Sequence, residues 1–239
     1  MKSVRSLTET IVTPIHNDVK PISSASKRQP SRQSHSAHRG MLYSSNQTYT
    51  TGTSISKPPF PNQGALGIGA ELVRLLHAAG AHVFFGDVLD EPARALAKEL
   101  HSPEAFVKYV ECNVMVYADN LALFDAAYNA FGRVDHAISN AGLGEQGNLI
   151  DSRLDLESVR EEPKDGARVI DVNLKGPVYF ARLASVYLRQ SKGEEANSVP
   201  LDKSLTFTSS VAAFREDPGL YVYVASKHGV MGLMRVLRG

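Results

Sequence analysis

The sequence predicts an α/β domain with a doubly wound parallel sheet, and three observations support this prediction. From about residue 62 onward, short apolar strands alternate with amphipathic helical segments. The first of these helices begins in a glycine-rich stretch, and the strand that follows it closes on Asp87. Two later strands run directly into polar residues, which begin at Asn140 and Ser209. Ligands of open α/β sheets bind at the carboxyl ends of the strands, where such residues collect.

The composition is that of an ordinary globular protein, with 43% hydrophobic and 21% charged residues. A chain of 239 residues is long enough for one domain with a sizeable core and a tail. No apolar run approaches the ~20 residues that a membrane span needs. The single cysteine, Cys112, excludes an internal disulfide and indicates a reducing compartment, so we expect a cytoplasmic protein.

Residues 1–61 differ from the rest of the chain. They are rich in Ser, Thr, Arg and Pro and lack a periodic apolar pattern, which predicts a disordered basic leader. A leader that is rich in Arg and Ser and poor in acidic residues is also typical of an organelle transit peptide, and this alternative stays open. The leader carries a net charge of +6 and the whole chain +1, so residues 62–239 carry −5. That charge argues against nucleic-acid binding by the folded part.

The helix–strand pattern gives the order of the elements in residues 62–239. We expect helices over residues 70–79, 92–100, 121–131 and 167–188, a further helix after the Pro218-Gly219 break, and strands over residues 81–86, 106–112, 134–139 and 204–208. Gly80 and Gly132 stand where helix C-caps are expected. Strands that alternate with helices in this way indicate a parallel sheet.

The strand that should precede the glycine-rich stretch is missing from this pattern. Residues 57–61 contain three prolines, which remove the backbone donors that a central strand needs. Residues 48–55 have a strand-like composition, but the prolines separate them from the glycines. No strand is predicted after the last helix either. We therefore expect an incomplete sheet that lacks its first strand and its C-terminal strands.

The glycine-rich stretch Asn62–Gly69 leads into the first helix. Glycines at a helix start let backbone N–H groups approach a phosphate, and the helix dipole favours that anion. A plain glycine turn is the alternative, but Asp87 closes the next strand. A carboxylate at that place hydrogen-bonds a ribose 2′-hydroxyl and disfavours a 2′-phosphate.

The chemistry of the chain is expected around Tyr223 and Lys227, which lie four residues apart on one face of a helix. A nearby ammonium favours the charged form of a phenol, so such a Tyr can exchange a proton with a carbonyl or alcohol oxygen. The alternatives are a half-buried aromatic residue and a solvated charge. Ser210 follows the strand at residues 204–208 and adds a hydroxyl to the same region.

Two further segments point to this end of the sheet. The run Asn140-Ala141-Gly142 follows a strand, where the Asn can stabilise the sheet edge and the small residues leave room for a cofactor. Within a predicted helix, Pro177 has no N–H, so the carbonyl of Asn173 loses its helical partner and can hold a water for a proton relay. An ordinary proline kink without chemistry is the alternative.

Together these motifs resemble those of the short-chain dehydrogenase/reductases. That family has a Ser thirteen residues before a Tyr-x-x-x-Lys motif, and Ser210 stands thirteen residues before Tyr223. The run Ala225–Val230 is similar to the Ala-Ser-Lys run of the family. The resemblance implies a Rossmann-like sheet and a catalytic set of Ser210, Tyr223, Lys227 and Asn173.

The resemblance, which covers residues 62–239, also implies a cofactor site for NAD, with NADP less favoured because of Asp87. The stretch Asn62–Gly69 is similar to the family's Thr-Gly-x-x-x-Gly-x-Gly loop, although Gln63 replaces the first glycine. Asn113 stands where the family usually has an Asp against the adenine. The implied cofactor-binding residues are Gly64, Gly67, Ile68, Gly69, Asp87, Asn113, Asn140, Ala141, Gly142, Tyr223 and Lys227.

The function implied is an NAD(P)-dependent oxidoreductase that interconverts a secondary alcohol and a ketone. The alternative is a catalytically impaired or non-catalytic remnant of that fold, such as a truncated gene product or an interaction scaffold. The run Ala225–Val230 also resembles that of 15-hydroxyprostaglandin dehydrogenase and of fungal polyketide alcohol dehydrogenases, which implies a bulky substrate. Expected partners are the small-molecule substrate and further copies of the chain, but no nucleic acid or membrane. The eight His residues show no metal-ligand spacing, so no metal site is expected.

Overall fold

A computed structural model describes residues 10–14, 48–52, 67–102, 105–145, 149–150, 152–190 and 203–238 of the chain. The strands are β1 (Thr10–Pro14), β2 (Thr48–Gly52), β3 (His82–Asp87), β4 (Val107–Glu111), β5 (His136–Ser139) and β6 (Ser204–Thr208). The helices are α1 (Ile68–Ala78), α2 (Asp90–Glu99), α3 (Tyr117–Phe131), α4 (Lys164–Ile170), α5 (Gly176–Tyr187) and α6 (Tyr221–Leu237).

The described strands form one six-stranded sheet in the order β1-β6-β5-β2-β3-β4. Strands β2 to β6 pair in parallel, and β1 pairs antiparallel with β6 at one edge. The chain runs outward from β2 through β3 to β4, and then returns to β5 on the other side of β2. The strand order thus reverses between β2 and β5, and doubly wound folds bind ligands outside the carboxyl ends of the strands at such a point. The predicted doubly wound α/β architecture is confirmed.

The sheet has a central strand where the sequence predicted a gap. Strand β2 pairs with β3 from Thr48 opposite His82 to Gly52 opposite Gly86, and it also pairs with β5. The expectation that the first strand is missing is therefore wrong. The three prolines at residues 57–61 lie beyond this strand, so they remove none of its backbone donors.

Residues 1–61 contribute two strands, and this corrects the predicted boundary at residue 62. Both β1 and β2 belong to the sheet, so the predicted disordered leader is wrong for these two five-residue segments. The remainder of residues 1–61 lies outside the described residues. Within the described part of the chain, no strand follows α6.

Helices cover both faces of the sheet because alternate strand residues point to opposite faces. In β3, Val83 and Phe85 pack with α1 and α2, whereas Phe84 packs with α3 and α5 on the opposite face. The core under α1 and α2 includes Ala70, Val73, Leu76, Ala93, Leu96, Val107 and Ile138. The core under α3, α5 and α6 includes Leu123, Phe124, Phe180, Leu183, Leu205, Phe207, Met231 and Met234.

The long predicted helix over residues 167–188 is not a regular α-helix. It consists of α4, a π-helical stretch Asp171–Lys175 and α5. At the end of the π-helical stretch, Gly176 N–H donates to the carbonyl of Asp171, five residues earlier. Pro177 has no N–H to give to the carbonyl of Asn173, so the ladder cannot continue in α-helical register here. π-Helical turns inside α-helices are frequent at functional sites.

The local signals for helix ends agree with the structure. Gly80 and Gly132 have φ angles of +80° and +70°, the left-handed region that a helix C-cap uses and that glycine adopts without strain.

Among the described residues, no helix is both long enough and apolar enough to cross a membrane.

Candidate active site

Helix α6 carries Tyr223 and Lys227 one turn apart. Lys227 Nζ lies 5.6 Å from the centre of the Tyr223 ring, within the range of a cation–π contact. The amine is therefore next to the phenol ring, as the i, i+4 spacing predicts.

Lys227 is a buried cation. Its residue is only 4% exposed, and its Nζ donates to the backbone carbonyl of Thr208 at 3.2 Å. Burial alone lowers the pKa of this amine to about 8, because a low-dielectric environment disfavours its charged form. An amine with a pKa near neutrality can both hold a proton and release one.

The end of β6 brings two serines to this site. Ser210 follows the strand in an extended conformation and caps a short 3₁₀ helix, Val211–Ala213, where Ala212 N–H donates to its Oγ at 3.2 Å. The neighbouring Ser209 is buried, and its hydroxyl donates to the backbone carbonyl of Lys227 at 3.2 Å. Ser209 thus fastens α6 to the sheet, and Ser210 is left half-buried beside it.

Asn173 lies at the centre of the π-helical stretch and is 1% exposed. Its Oδ1 accepts from Leu143 N–H at 2.7 Å, and its Nδ2 donates to the Leu143 carbonyl at 2.9 Å. Nδ2 also donates to Ser226 Oγ at 3.0 Å. Ser226 in turn donates to the carbonyl of Tyr223 at 2.6 Å. The Asn173 amide therefore joins the loop after β5 to the helix that carries Tyr223.

The loop after β5 fits closely around these groups. Thr208 Oγ1 donates to Asn140 Oδ1 at 2.9 Å, which ties the ends of β5 and β6 together. A Cβ added at Gly142 would lie 3.4 Å from Lys227 Nζ and 3.5 Å from Asn173 Oδ1. Any side chain longer than a methyl group at Gly142 would crowd the amine, so a small residue is needed there.

Glu145, at the end of the same loop, binds the first turn of α6. Its Oε2 accepts from Tyr223 N–H at 2.6 Å, and its Oε1 accepts from Val222 N–H at 3.2 Å. A carboxylate at a helix N-terminus satisfies donors that lack partners within the helix and interacts favourably with the helix dipole. Sequence reasoning did not select this residue.

At the start of α1, the described residues leave Gly67 uncovered. Gly67 is the N-cap without a side-chain cap, and among the described residues no atom lies within 4 Å of a Cβ added there. Ile68 is 54% exposed, and Gly69 is buried in the first turn. Gly64, the remaining glycine of the predicted phosphate loop, lies outside the described residues.

Asp87 ends β3, and Asn113 lies two residues beyond the end of the neighbouring strand β4. The Asp87 residue is fully buried, and its Oδ1 accepts from Leu89 N–H at 2.9 Å. A ribose can therefore reach this carboxylate only if some of the atoms that bury it move aside. The Asn113 amide oxygen accepts from Met115 N–H at 3.1 Å, which uses it in the local turn. The described residues contain no cluster of His, Cys, Asp or Glu that could hold a metal ion.

The sequence selected most of the residues that meet at this edge, but it missed three connecting ones. Glu145 and Ser209 bond to α6, and Ser226, within α6, links that helix to Asn173. Ser226 lies inside the Tyr-x-x-x-Lys motif, so its place on the helix was available from the spacing. Glu145 has no such local signal, because its partners lie 77 and 78 residues away.

Comparisons with known proteins agree with this geometry. A family model described as short chain dehydrogenase matches residues 63–239. The short chain aldehyde dehydrogenase 1 of Euphorbia lathyris is 35% identical over 175 residues, which are 73% of this chain and 54% of the relative. The 3-alpha-(or 20-beta)-hydroxysteroid dehydrogenase of Mycobacterium bovis is 32% identical over 185 residues, 77% of this chain and 63% of the relative.

Solved structures of short chain dehydrogenases have a similar fold. A short chain dehydrogenase from Mycobacterium smegmatis has a TM-score of 0.59 at 25% identity, and the match covers 80% of this chain and 70% of that one. A short chain dehydrogenase/reductase from Burkholderia phymatum, crystallised in complex with NAD, has a TM-score of 0.60 at 24% identity, with 80% and 59% covered.

The chain spans about half the length of the first curated relatives that it matches, with shares of 54%, 54% and 47%. The family model nevertheless covers the chain from the start of the glycine-rich stretch to residue 239. The chain therefore belongs to the short-chain dehydrogenase family of oxidoreductases.

Proposed function

We propose that this protein is an NAD-dependent oxidoreductase that interconverts a secondary alcohol and a ketone. The observation that carries the proposal is the buried amine of Lys227, 5.6 Å from the centre of the Tyr223 ring and with a pKa lowered to about 8. A buried amine with a lowered pKa beside a phenol, at the carboxyl edge of a doubly wound sheet, is suited to assist proton transfer at a substrate oxygen.

The proton-transfer roles follow from where each side chain is held. Tyr223 acts as the general acid or base at the substrate oxygen, and the Lys227 amine lies beside it, 5.6 Å from the centre of the phenol ring. Ser210, at the end of β6, positions the substrate oxygen. Asn173 contributes its backbone carbonyl, whose helical partner position is taken by Pro177, to hold a relay water.

Several residues at the carboxyl edge of the sheet would hold the cofactor. The first turn of α1, at Gly67 and Ile68, would hold the pyrophosphate, since no side chain within the described part of the chain caps its N-terminus. Asp87 would bind the ribose, which favours NAD over NADP. The loop Asn140–Gly142 and Lys227 would border the nicotinamide end, and Asn113 the adenine end. The bound cofactor supplies the hydride chemistry, and the protein supplies orientation and the proton.

The substrate class is a bulky secondary alcohol or the matching ketone. Two relatives point in this direction by name: a hydroxysteroid dehydrogenase at 32% identity, and tropinone reductase-like 1 of Erythroxylum coca at 34% over 176 residues, 73% of this chain and 58% of the relative. Both names refer to ring systems with an oxygen on a secondary carbon. A cytoplasmic homo-oligomer is proposed with this activity.

The competing possibility is a non-catalytic remnant of the fold. One of its supports from the sequence was the missing first strand, and strand β2 removes that support because it pairs with both β3 and β5. Gln63, in place of the family's first glycine, is a second support that the structure does not address. The polar network around Tyr223 and Lys227 also favours an enzyme, because buried polar groups without a function are costly to keep.

NADH binding and alcohol turnover test the proposal. We expect the wild type to bind NADH saturably, measured by the fluorescence of the reduced nicotinamide, and to oxidise at least one member of a panel of cyclic secondary alcohols. Tyr223→Phe, which removes only the hydroxyl, should lower kcat/KM by about 10²- to 10⁴-fold and leave NADH binding nearly unchanged.

A charge placed at the start of α1 tests the cofactor site. Gly67 has open space around it and an ordinary negative φ of −79°, so Gly67→Glu should fold. Its carboxylate should repel the pyrophosphate and abolish saturable NADH binding. Gly232→Glu adds the same charge at another open position, on the exposed side of α6, and serves as the matched control. A folded wild-type chain that binds no NADH would refute the proposal.

A further inference from the structure

The N-terminus of α6 is capped by a distant carboxylate and not by its own N-cap residue. The N-cap, Leu220, has no side chain that can accept a hydrogen bond. The first-turn donors Val222 N–H and Tyr223 N–H are both bound by Glu145, at 3.2 Å and 2.6 Å. One carboxylate with an oxygen for each donor is a bidentate, charge-assisted contact, which is stronger than a contact between neutral groups.

The backbone of Tyr223 is consequently held on both sides. Its N–H donates to Glu145 Oε2 at 2.6 Å, and its carbonyl accepts from Ser226 Oγ at 2.6 Å. Ser226 is itself fixed by Asn173, whose Nδ2 donates to it at 3.0 Å. The two side-chain contacts leave the peptide groups that flank the Tyr223 Cα little freedom to shift, so they restrict where the phenol can lie.

Glu145 also makes the loop after β5 and helix α6 into one unit. The loop is anchored at Leu143 by Asn173 and at Glu145 by the first turn of α6. Gly142, between the end of β5 and these anchors, lies against Lys227. A shift of the loop would therefore move the surroundings of the amine and of Tyr223 together.

We infer that Glu145 is a positioning residue for Tyr223, holding the first turn of α6 so that the phenol stays in place for proton transfer. The inference rests on the proposed function, in which Tyr223 is the general acid or base. Glu145 does not exchange protons with the substrate in this scheme. It acts through the backbone, and small misplacements of a reacting group are enough to slow catalysis strongly.

Three variants test the inference. Glu145→Ala removes both acceptors, Glu145→Gln keeps one carbonyl acceptor at the same length, and Glu162→Ala removes an exposed carboxylate elsewhere as the control. Hydrogen exchange of the Val222 and Tyr223 amides should speed up by about tenfold or more in Glu145→Ala, less in Glu145→Gln, and not in the control, since these amides lack a partner within the helix.

Catalysis should follow the same order. In Glu145→Ala we expect kcat to fall by roughly ten- to a hundredfold, with the KM for the alcohol and the Kd for NADH changed by less than about threefold. Glu145→Gln should restore part of kcat. A loss of global stability would not lower kcat while leaving KM and Kd nearly unchanged. Thermal unfolding of each variant shows whether stability is lost.

The possible outcomes separate this inference from the proposed function. Unchanged amide exchange in Glu145→Ala overturns the inference, whatever the activity. Faster exchange with kcat equal to that of the Glu162→Ala control also overturns it, because Glu145 would then only cap the helix. A wild type that binds NADH and turns over no alcohol refutes the proposed function and with it a positioning role, whereas the exchange data still report the contact.

Discussion

Two buried charged groups lie at opposite ends of strands β5 and β6, and they differ in whether their hydrogen-bond partners are charged. At the amino end, the fully buried Asp135 binds Arg133 through both carboxylate oxygens, with contacts of 3.0 and 3.1 Å. Lys203 Nζ adds a contact of 2.7 Å to the same carboxylate. At the carboxyl end, the buried Lys227 amine binds the neutral carbonyl of Thr208. Among the described residues, no ion pair joins Lys227 to a carboxylate.

Under the proposed function, the difference separates a charge that stabilises the fold from a charge that serves proton transfer. A buried ion pair with several hydrogen bonds offsets much of its desolvation, and its groups stay ionised. A buried amine with only neutral partners keeps its desolvation penalty, which appears as the lowered pKa of about 8. The fold tolerates this penalty next to Tyr223, where a poised amine is useful.

The largest effect is expected from breaking the amino-end cluster. Asp135→Asn would leave Arg133 and Lys203 buried or half-buried without their counter-charge. Removing one partner of a buried ion pair typically destabilises by 3–5 kcal/mol, and we expect about 3 kcal/mol here because both cations keep some contact with water. Urea unfolding followed by circular dichroism measures the change.

The exposed pair between Asp90 and Arg94 supplies the matched control for this change. Its contact of 2.8 Å is as short, but both side chains are largely in water, at 47% and 68% exposure. Asp90→Asn should therefore destabilise the protein far less than Asp135→Asn, because water screens an exposed pair. Equal losses in the two variants would mean that burial does not distinguish the clusters.

Lys227→Met should have the reverse effect at the carboxyl end. Replacing the buried amine by an apolar side chain of similar length removes a desolvation penalty, so the free energy of unfolding should stay equal or increase. Activity should nevertheless fall by at least about a hundredfold, equivalent to about 2.7 kcal/mol of transition-state stabilisation. Initial rates and urea unfolding on one preparation give both quantities.

Lys98→Met, on the exposed face of α2, is the control for Lys227→Met. It removes a charge that is already in water, so neither stability nor activity should change noticeably. A Lys227→Met protein that loses stability as strongly as Asp135→Asn would show that the amine stabilises the fold, which would erase the contrast between the two ends.

The lowered pKa of Lys227 also predicts that stability depends on pH, and this effect is smaller than those of the preceding substitutions. The folded amine titrates near pH 8 and an unfolded lysine near about 10.4, so between these values the unfolded chain binds more protons. Stability contributed by this group is therefore lowest below pH 8 and rises with pH. We expect the free energy of unfolding of the wild type to gain about 2 kcal/mol relative to Lys227→Met between about pH 7 and about pH 9.5.

The comparison with Lys227→Met is needed because other groups titrate in the same range. Burial raises the pKa of the Cys112 thiol to about 12, for example, and this group acts with the opposite sign at high pH. Such contributions cancel in the difference between the free energies of unfolding of the wild type and Lys227→Met at each pH. A difference that stays constant with pH would indicate a solvated amine at position 227.

Local sequence patterns predicted most of the elements because the periods of helices and strands are written into neighbouring residues. The predicted strand over residues 204–208 agrees with β6, and the predicted strand over 81–86 is shifted by one residue from β3. The Tyr223–Lys227 pair could be predicted as well, since four residues along a helix define one face.

The failures have a common cause. Strand β2 was rejected because prolines separate it from the glycine-rich stretch, yet what makes it a strand is its pairing with β3 and β5. The π-helical stretch at Asn173 was read as a regular helix, although its missing donor at Pro177 was visible. In both cases the local structure depended on hydrogen-bond partners that a local pattern does not specify: the neighbouring strands for β2, and the backbone hydrogen bonds of the helix at Asn173.

The sequence by itself determined the α/β class and the helix face that Tyr223 and Lys227 share, because both depend on spacing along the chain, and its motifs resembled those of the family. Only the tertiary structure decided that Glu145 binds the Tyr223 backbone, that Asn173 holds Leu143 and Ser226, and that the Lys227 amine is buried. These contacts join residues 30 to 78 positions apart. They exist because packing the helices on the sheet excludes water and brings distant donors and acceptors together.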